Sequence, residues 1–291
     1  MTPAAREFVL TISCSDAKGI VYAVSGVLFQ GGCNIIDSQQ FGDPVSGLFF
    51  MRVHFDAPDH LAAADRLQML FESTRAKFGM TAAFDDLSKR TRLLLMVSRH
   101  GHCLNDLLFR WRSGQLPADV VGVVSNHEDF RALSESHGVP FHYLPVSAGA
   151  PDQERSAQEQ RISEVVVREG VDLVVLARYM QILSPALCER LRGRAINIHH
   201  SFLPSFKGSH PYRQAFDRGV KLIGATAHYV SESLDDGPII EQEVERVDHT
   251  LDSDELARVG RDVECVALAR AVRWHCEHRV LLNGEKTVVF R

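Results

Sequence analysis

The residues best suited to chemistry lie in segment 195–208, which reads AINIHHSFLPSFKG. Asn197 and His199 are two residues apart on a predicted strand, so their side chains share one face while Ile196 and Ile198 share the other. Burying an unpaired amide or imidazole is costly, so a polar pair on an apolar strand indicates a functional site. The alternative is that both side chains only satisfy backbone groups of the loop that follows.

A second candidate segment, 224–240, reads GATAHYVSESLDDGPII. The alternation of side chains predicts a strand in which His228 and Thr226 share one face. The turn that follows carries Asp235, one residue before Asp236-Gly237. An acidic turn of this kind is on its own most often a solvated turn. This turn holds its carboxylates close to the end of the predicted strand.

Composition and charge exclude several classes of protein. The formal net charge of -5 gives no basic surface for nucleic acid or an anionic membrane. No apolar run is long enough to cross a bilayer, and the first residues lack the pattern of a secretory signal. The six cysteines form no C-x-x-C pair, which favours reduced thiols over a disulfide framework or a zinc site. We expect a globular cytoplasmic protein.

The first 85 residues predict a small α/β domain. Helical spacing begins at Ile20, and Gly31-Gly32 ends that helix because glycine readily adopts the left-handed conformation of a helix stop. The predicted order is βαββαβ, an antiparallel sheet with two helices on one face. In chain order the elements are a strand at 8–14, a helix from 20, strands at 35–41 and 48–55, a helix at 59–78 and a strand at 80–84.

A polar linker, residues 86–91, separates this domain from a second at 92–291. The second domain alternates short apolar runs with helical stretches. Runs without internal alternation are typical of parallel strands that are buried on both faces, so we expect a doubly wound sheet. The predicted strands are 93–97, 119–124 and 172–176, and the predicted helices lie near 104–111, 128–137 and 153–168.

Together the two chemical segments resemble the folate-dependent formyltransferase family, whose Asn-x-His pair is followed downstream by His and Asp-x-Gly. The resemblance covers roughly residues 92–285 and implies a Rossmann-like domain. It places the family's catalytic residues on Asn197, His199 and Asp235. It also implies that His228 supports them through a hydrogen bond and that His200 shapes the water site.

The stretch after the third predicted strand of this domain resembles the family's folate-binding loop. For its apolar members alone, packing in the core is the competing interpretation. The resemblance implies 10-formyltetrahydrofolate as substrate, no tightly bound cofactor and no metal. The implied folate-binding residues are Ala177, Arg178, Tyr179, Met180, Gln181, Ile182 and Leu183.

Two further likenesses bear on the reaction within the family. The first domain resembles an ACT domain, a small regulatory module. The loop 98–105, SRHGHCLN, keeps only Gly101 where a transferase has a Gly/Ser/Asn-rich loop suited to cradle a phosphate. Segments 199–204 and 210–216 also favour a hydrolase over a transferase. Transferases usually have proline at the position that His200 occupies here. The resemblance then implies transfer of the formyl group to water, giving formate for purine synthesis and balancing the one-carbon folate pool.

Three alternatives stay open. One is a formyltransferase that uses the same residues and an amine acceptor such as glycinamide ribonucleotide. Another is a zinc hydrolase, although neighbouring histidines on a strand point apart and catalytic zinc needs three converging ligands. The third is a binding protein with an inactive second domain. The histidines considered for zinc are His199, His200, His210 and His228.

The ACT-like domain implies an effector site at its first strand-to-helix loop. The resemblance makes glycine or methionine the first candidates and implies a homo-oligomer. A purely structural role in assembly is equally compatible with the sequence. The residues expected to line an effector site are Asp16, Gly19, Ile20 and Asn34.

Overall fold

The computed structural model describes residues 6–147, 149–200 and 211–291. Its chain forms two compact units. One contains the residues up to Arg90 together with Glu277–Arg291, and the other is Thr91–Cys276. Within the described residues, no helix is long and apolar enough to span a membrane.

The first unit has a four-stranded antiparallel sheet in the order β2-β3-β1-β4. Its chain order, βαββαβ, confirms the order predicted from the sequence. The elements are β1 (Arg6–Ser15), α1 (Ile20–Gln30), β2 (Asn34–Asp43), β3 (Leu48–Ala57), a 3-10 turn (Asp59–Leu61), α2 (Ala64–Phe78) and β4 (Thr81–Asp86).

Local sequence explains the limits of these helices. Helix α1 follows Gly19, whose φ of 92° lies in the left-handed region. Ile20, Val24 and Leu28 recur at helical spacing and are buried in the core of this unit. The single helix predicted at 59–78 is wrong at its start. Ala63 is extended, with φ -152° and ψ 139°, so the 3-10 turn and α2 are separate.

The second unit has a seven-stranded mixed sheet in the order β11-β10-β9-β8-β5-β6-β7. Strands β5 to β9 are parallel, and β10 is antiparallel to both of its neighbours. The elements are β5 (Thr91–Val97), α3 (His102–Arg112), β6 (Ala118–Ser125), α4 (Arg131–Ser136), β7 (Phe141–Tyr143), α5 (Asp152–Arg168), β8 (Leu173–Leu176), α6 (Pro185–Arg190), β9 (Ala195–His199), α7 (Pro211–Asp217), β10 (Leu222–Tyr229), β11 (Ile239–Arg246) and α8 (Ser253–Cys276).

The winding of the parallel strands determines where a ligand can bind. The chain runs outward from β5 to β6 and β7, then returns to β8 and β9 on the other side of β5. The predicted doubly wound sheet is therefore confirmed for the five parallel strands, and the antiparallel pair β10-β11 extends it. In such sheets the crevice lies at the carboxyl ends of the strands where the winding reverses. The ends of β5, β8 and β9 thus define the candidate site.

The chain returns to the first unit after α8. Two short strands form a hairpin there, β12 (Val280–Asn283) and β13 (Lys286–Val289). The Arg52 side chain, 4% exposed, donates to the carbonyl oxygen of Glu277 at 3.0 Å and to that of His278 at 3.1 Å. These contacts join the segment to β3. The structure thus corrects the sequence-based division, which placed all of 92–291 in the second domain.

Candidate active site

The candidate site forms where β9 and β10 pair. Asn197 and His199 lie two apart on β9, and the antiparallel register places His228 of β10 opposite Asn197. Their common face is confirmed, because both Asn197 and His199 contact the same carboxylate, that of Asp235. Apolar partners on the other face, Ile196 and Ile198, are buried. The two-residue spacing is therefore what brings the amide and the imidazole together.

Asp235 supplies the third group from the loop between β10 and β11. Its Oδ2 atom is 3.1 Å from His199 Nδ1, and its Oδ1 atom is 3.4 Å from Asn197 Nδ2. The backbone of Asp235 has a φ of 55°, a left-handed conformation that aspartate tolerates better than most residues. Non-glycine residues in this conformation persist only where their surroundings impose it. Here the turn aims the carboxylate at the two side chains of β9.

His228 fixes the orientation of the Asn197 amide. The His228 Nδ1 atom is 2.8 Å from the carbonyl oxygen of Tyr229, which only accepts, so Nδ1 carries the proton. Burial lowers the pKa of His228 and keeps the ring neutral. Its Nε2 atom must then accept, and it does so from Asn197 Nδ2 at 3.3 Å. The NH2 end of Asn197 therefore faces His228 and Asp235.

The carboxyl group of Asp235 stays ionised. Partial burial acts to raise its pKa, but the hydrogen bond and charge of His199, with smaller contributions from His228 and His200, lower the pKa below its ordinary value. As a carboxylate, Asp235 can accept from His199 Nδ1 and support a positive charge on that ring. The pair His199–Asp235 is thus suited to carry and hold a proton.

Gly237 is required by a close approach of two backbone segments. A Cβ atom added at this position would overlap the carbonyl oxygen of Tyr229, the same oxygen that accepts from His228. The Tyr229 N–H also donates to the carbonyl oxygen of Pro238 at 2.9 Å. Only glycine allows this contact, which anchors the turn that carries Asp235.

The Gly237→Ala variant is expected to lose about 1–3 kcal/mol of unfolding free energy and most of its activity, because the turn must shift to relieve the overlap. Urea denaturation with a parallel assay measures both. Gly26→Ala is the matched control, since a Cβ there meets nothing within 4 Å in α1, and it should gain roughly 0.5–1 kcal/mol. A stable and active Gly237→Ala protein would contradict the close contact.

His200 lies beside His199, and its pKa is lowered. Its ring centroid is 5.2 Å from that of His199 and 6.4 Å from that of Tyr212. Burial, and then the positive charge of Arg178, lower the pKa of His200 to about 4. The His200 ring is therefore neutral near pH 7 and can shape the site without adding charge.

This shift predicts an acid-sensitive fold. The unfolded chain binds a proton at His200 near the ordinary pKa of 6.5, but the folded protein does so only near 4. Above pH 6.5 the free energy of unfolding is therefore unaffected by His200. It decreases as pH falls from 6.5 to about 4, by up to about 1.4 kcal/mol per pH unit. In His200→Gln the fall in Tm between these pH values should be smaller than in the wild type. Exposed His249→Gln is the control, and equal slopes in all three proteins would contradict the prediction.

A cavity of about 260 Å³ adjoins these side chains. Of the predicted folate-binding residues, Ala177 is fully buried in the core, and Met180 and Ile182 are 55% and 69% exposed. Those that line the cavity beside Asn197, His199 and Asp235 are Arg178, Tyr179, Met180, Gln181, Ile182 and Leu183.

Ser98, at the carboxyl end of β5, secures this loop. Its N–H donates to the carbonyl oxygen of Arg178 at 3.1 Å, and its Oγ accepts from the N–H of Met180 at 2.9 Å. The Ser98 hydroxyl donates in turn to Asn126 Oδ1 at 2.7 Å. The loop is thus tied to the ends of two parallel strands, which gives the cavity one firm wall.

A cluster of polar side chains lies at loop 98–105, where a transferase has its phosphate-binding loop. His102, the first residue of α3, donates from Nε2 to Glu264 Oε2 at 2.7 Å, and the Tyr212 hydroxyl donates to Glu264 Oε1 at 2.7 Å. Glu264 is 1% exposed, and its pKa is lowered because hydrogen bonds and charge from His102 and Arg178 outweigh its burial. With His102 and Glu264, Cys103 forms a group of three side chains of the types that bind metal ions. Both oxygens of Glu264 accept hydrogen bonds, so His102 and Tyr212 hold this carboxylate in place.

The predicted effector residues differ in burial in the described structure. Asp16 and Gly19 are exposed at the start of α1, but Ile20 is 1% exposed and packs in the core. The Asn34 Nδ2 atom donates to Asp56 Oδ2 at 3.3 Å. The effector site stays a prediction.

Some predicted elements cannot be placed. Segment 201–210, with His210 and most of the 199–204 motif, lies outside the described residues. The six cysteines are thiols rather than disulfides in this structure.

Sequence reasoning missed three residues that hold the site together. Ser98 has a visible signal, a polar residue directly after a buried apolar strand. Glu264 also has one, because it falls on the apolar stripe of α8. Gly237 has no local signal beyond its Asp-Gly turn, since its contact with Tyr229 depends on the folded loop.

The fold and this cluster define a class. Residues 91–272 match the family model described as formyl transferase, and the chain belongs to that family. Along its whole length it is similar to formyltetrahydrofolate deformylases. It is 50% identical over 286 residues to that of Corynebacterium sp. (strain P-1), covering 97% of this chain and 98% of the relative.

Solved structures separate the two branches of the family. The crystal structure of formyltetrahydrofolate deformylase from Burkholderia mallei matches with a TM-score of 0.92 and 52% identity over 98% of this chain and all (100%) of that one. Glycinamide ribonucleotide transformylase 1 from Symbiobacterium toebii matches with a TM-score of 0.64 and 30% identity, covering 69% of this chain and 95% of that one. The match to the deformylase thus includes the part of the chain that has no counterpart in the transformylase.

Proposed function

We propose that this protein hydrolyses 10-formyltetrahydrofolate to formate and tetrahydrofolate. It is a formyltetrahydrofolate deformylase, a hydrolase that cleaves the C–N bond of the formyl amide. The observation that carries the mechanism is the carboxylate of Asp235, 3.1 Å from His199 and 3.4 Å from Asn197 beside the cavity of the folate loop. Folate is the substrate, and no tightly bound cofactor or metal takes part in the proposed steps.

The reaction begins with attack of water on the formyl carbon. The carbonyl oxygen becomes an oxyanion in the tetrahedral intermediate, and Asn197 Nδ2 donates to it. The Asn197 hydrogen near Asp235, at 3.4 Å, is weakly held and can turn to the substrate, while the other stays on His228. A proton then passes to the leaving nitrogen, and the C–N bond breaks.

The geometry favours His199 as the proton carrier. A general base works best when its pKa is near the working pH, and the lowered pKa of Asp235 makes it a weak base. The Asp235 carboxylate instead accepts from His199 Nδ1 and stabilises the imidazolium while the ring carries the proton. His200, kept neutral, packs beside this ring and helps to shape the water site.

Water rather than a phosphorylated amine is the acceptor in this proposal. A phosphate needs backbone N–H groups that small residues leave accessible. Here the ring of Phe130 packs directly against Gly101, so closely that a Cβ at this position would overlap it. The ring of Tyr212 packs in the same way against Gly260 of α8. The ionised Glu264 would also repel a phosphate at the start of α3. These contacts disfavour glycinamide ribonucleotide as acceptor.

The test is direct. The purified protein is incubated with 10-formyltetrahydrofolate in buffer alone, and tetrahydrofolate and formate are measured together. Equal amounts of both products are expected. If turnover appears only after glycinamide ribonucleotide or another amine is added, the protein is a transferase on the same side chains and the hydrolase proposal is wrong.

For the first unit we propose the regulatory role of an ACT domain. The sheet order β2-β3-β1-β4 and the βαββαβ connectivity support this, since both are features of the ferredoxin-like fold. The proposed partners are glycine or methionine at the loop of Asp16 and Gly19, and further copies of the chain in a homo-oligomer. We place the protein in the cytoplasm, where its formate supports purine synthesis.

A further inference from the structure

Arg178 is a buried charged residue that has no role in the proposed reaction steps. Its side chain is 11% exposed. Within the described part of the chain, its Nε and Nη1 atoms have no hydrogen-bond partner. Buried donors are normally paired, and an unpaired charged donor is especially costly, so this guanidinium is suited to a ligand that accepts hydrogen bonds.

Glu264 balances the charge of Arg178 without satisfying its donors. The Arg178 Nε atom is 3.5 Å from Glu264 Oε2, within ion-pair distance. The same oxygen accepts from His102 at 2.7 Å, and the other Glu264 oxygen accepts from Tyr212 at 2.7 Å. The carboxylate is therefore shared with two other donors, and among the described residues the Nε and Nη1 atoms of Arg178 keep unused hydrogen-bonding capacity.

The backbone holds Arg178 at the cavity. Its φ of 67° is unusual for a residue with a side chain. Ser98 fixes both sides of this conformation, accepting from the N–H of Met180 and donating to the carbonyl oxygen of Arg178. Arg178 lines the same cavity as Asn197, His199 and Asp235. Its placement beside the reacting groups is thus imposed by the ends of β5 and β8.

We propose that Arg178 binds the formate ion released by hydrolysis, an inference that rests on the proposed function. Water adds its oxygen to the formyl carbon, the C–N bond breaks, and the folate nitrogen takes a proton. The formic acid then gives its proton to His199 or solvent and becomes an anion close to Asp235. Two anions repel in a partly buried site, and a guanidinium offsets this through charge-assisted hydrogen bonds. Arg178 therefore sets the affinity for the product.

The test measures formate binding without turnover. Carbon-13-labelled formate is titrated into the protein, with and without tetrahydrofolate, at constant ionic strength set with sodium chloride, and Kd is read from NMR line widths. In Arg178→Gln the Kd should rise roughly 10- to 100-fold, because a charged donor is lost. Arg178→Lys, which keeps the charge, should be intermediate. Arg110→Gln, which removes a guanidinium paired with Asp106, is the control and should match the wild type.

A structural role for Arg178 predicts a different pattern. If Arg178 serves only to pair with Glu264, its variants change stability but formate binds as in the wild type, and the inference fails. It also fails if the wild-type protein does not bind formate, whatever the variants do. An enzyme that turns over substrate without binding formate refutes only this inference. A protein that binds formate through Arg178 without turnover refutes only the proposed function.

Discussion

Replacing Asp235 with asparagine is expected to lower kcat roughly 10²- to 10⁴-fold. Asparagine has the same shape and tolerates the left-handed conformation at this position, so the turn should be retained. What is lost is the negative charge 3.1 Å from His199 Nδ1, which we propose stabilises the protonated ring. Formate release under saturating substrate measures the effect, and circular dichroism verifies the fold.

Asp236→Asn is the matched control for this change. Asp236 is the next residue in the same turn, it is exposed, and it lies outside the cavity lining. Its variant should hydrolyse substrate at a rate close to that of the wild type. If Asp235→Asn were as active as Asp236→Asn, the carboxylate would have no part in the reaction and the proposed roles of His199 and Asp235 would be refuted.

Asn197→Ala is expected to lower kcat roughly 10²- to 10³-fold with a much smaller change in KM. The Asn197 amide is proposed to bind an oxygen that becomes charged only in the transition state, so its removal affects the chemical step rather than substrate binding. Steady-state kinetics with 10-formyltetrahydrofolate separates the two parameters.

The exposed Asn105→Ala on α3 is the control for the loss of an amide and should leave both parameters unchanged. Asn197→Asp provides a second comparison, because it places an additional carboxyl group within 3.4 Å of Asp235 Oδ1. It should be less active than Asn197→Ala at neutral pH. A rise in KM with kcat unchanged in Asn197→Ala would mean that the amide binds the ground state, and the oxyanion role would be wrong.

The sequence was informative wherever a property depends on local spacing. The period of two on β9 places Asn197 and His199 on one face, and the helical period from Ile20 defines the buried face of α1. The βαββαβ order and the parallel strands of the second unit also follow from local patterns. The folate loop was placed by resemblance, and the structure puts six of its seven predicted residues, Arg178 to Leu183, at the cavity beside the polar cluster.

Other features depend on contacts between distant residues. His102 and Glu264 are 162 residues apart, and no local pattern pairs them. The tautomer of His228, and with it the orientation of the Asn197 amide, depends on a carbonyl oxygen whose position requires the folded turn at Gly237. The left-handed backbone of Arg178 is likewise set by Ser98 from another strand.

The hairpin β12-β13 makes the first unit discontinuous, and this affects the order in which the protein can be completed. A ribosome releases β1 to β4 early, but the carbonyl groups of Glu277 and His278 that receive the buried Arg52 side chain emerge only after the whole of Thr91–Cys276. Until then, the Arg52 guanidinium lacks these two acceptors. The amino-terminal unit therefore cannot reach its final form until the whole of the unit that follows it has been synthesised, unlike a domain that folds as soon as it leaves the ribosome.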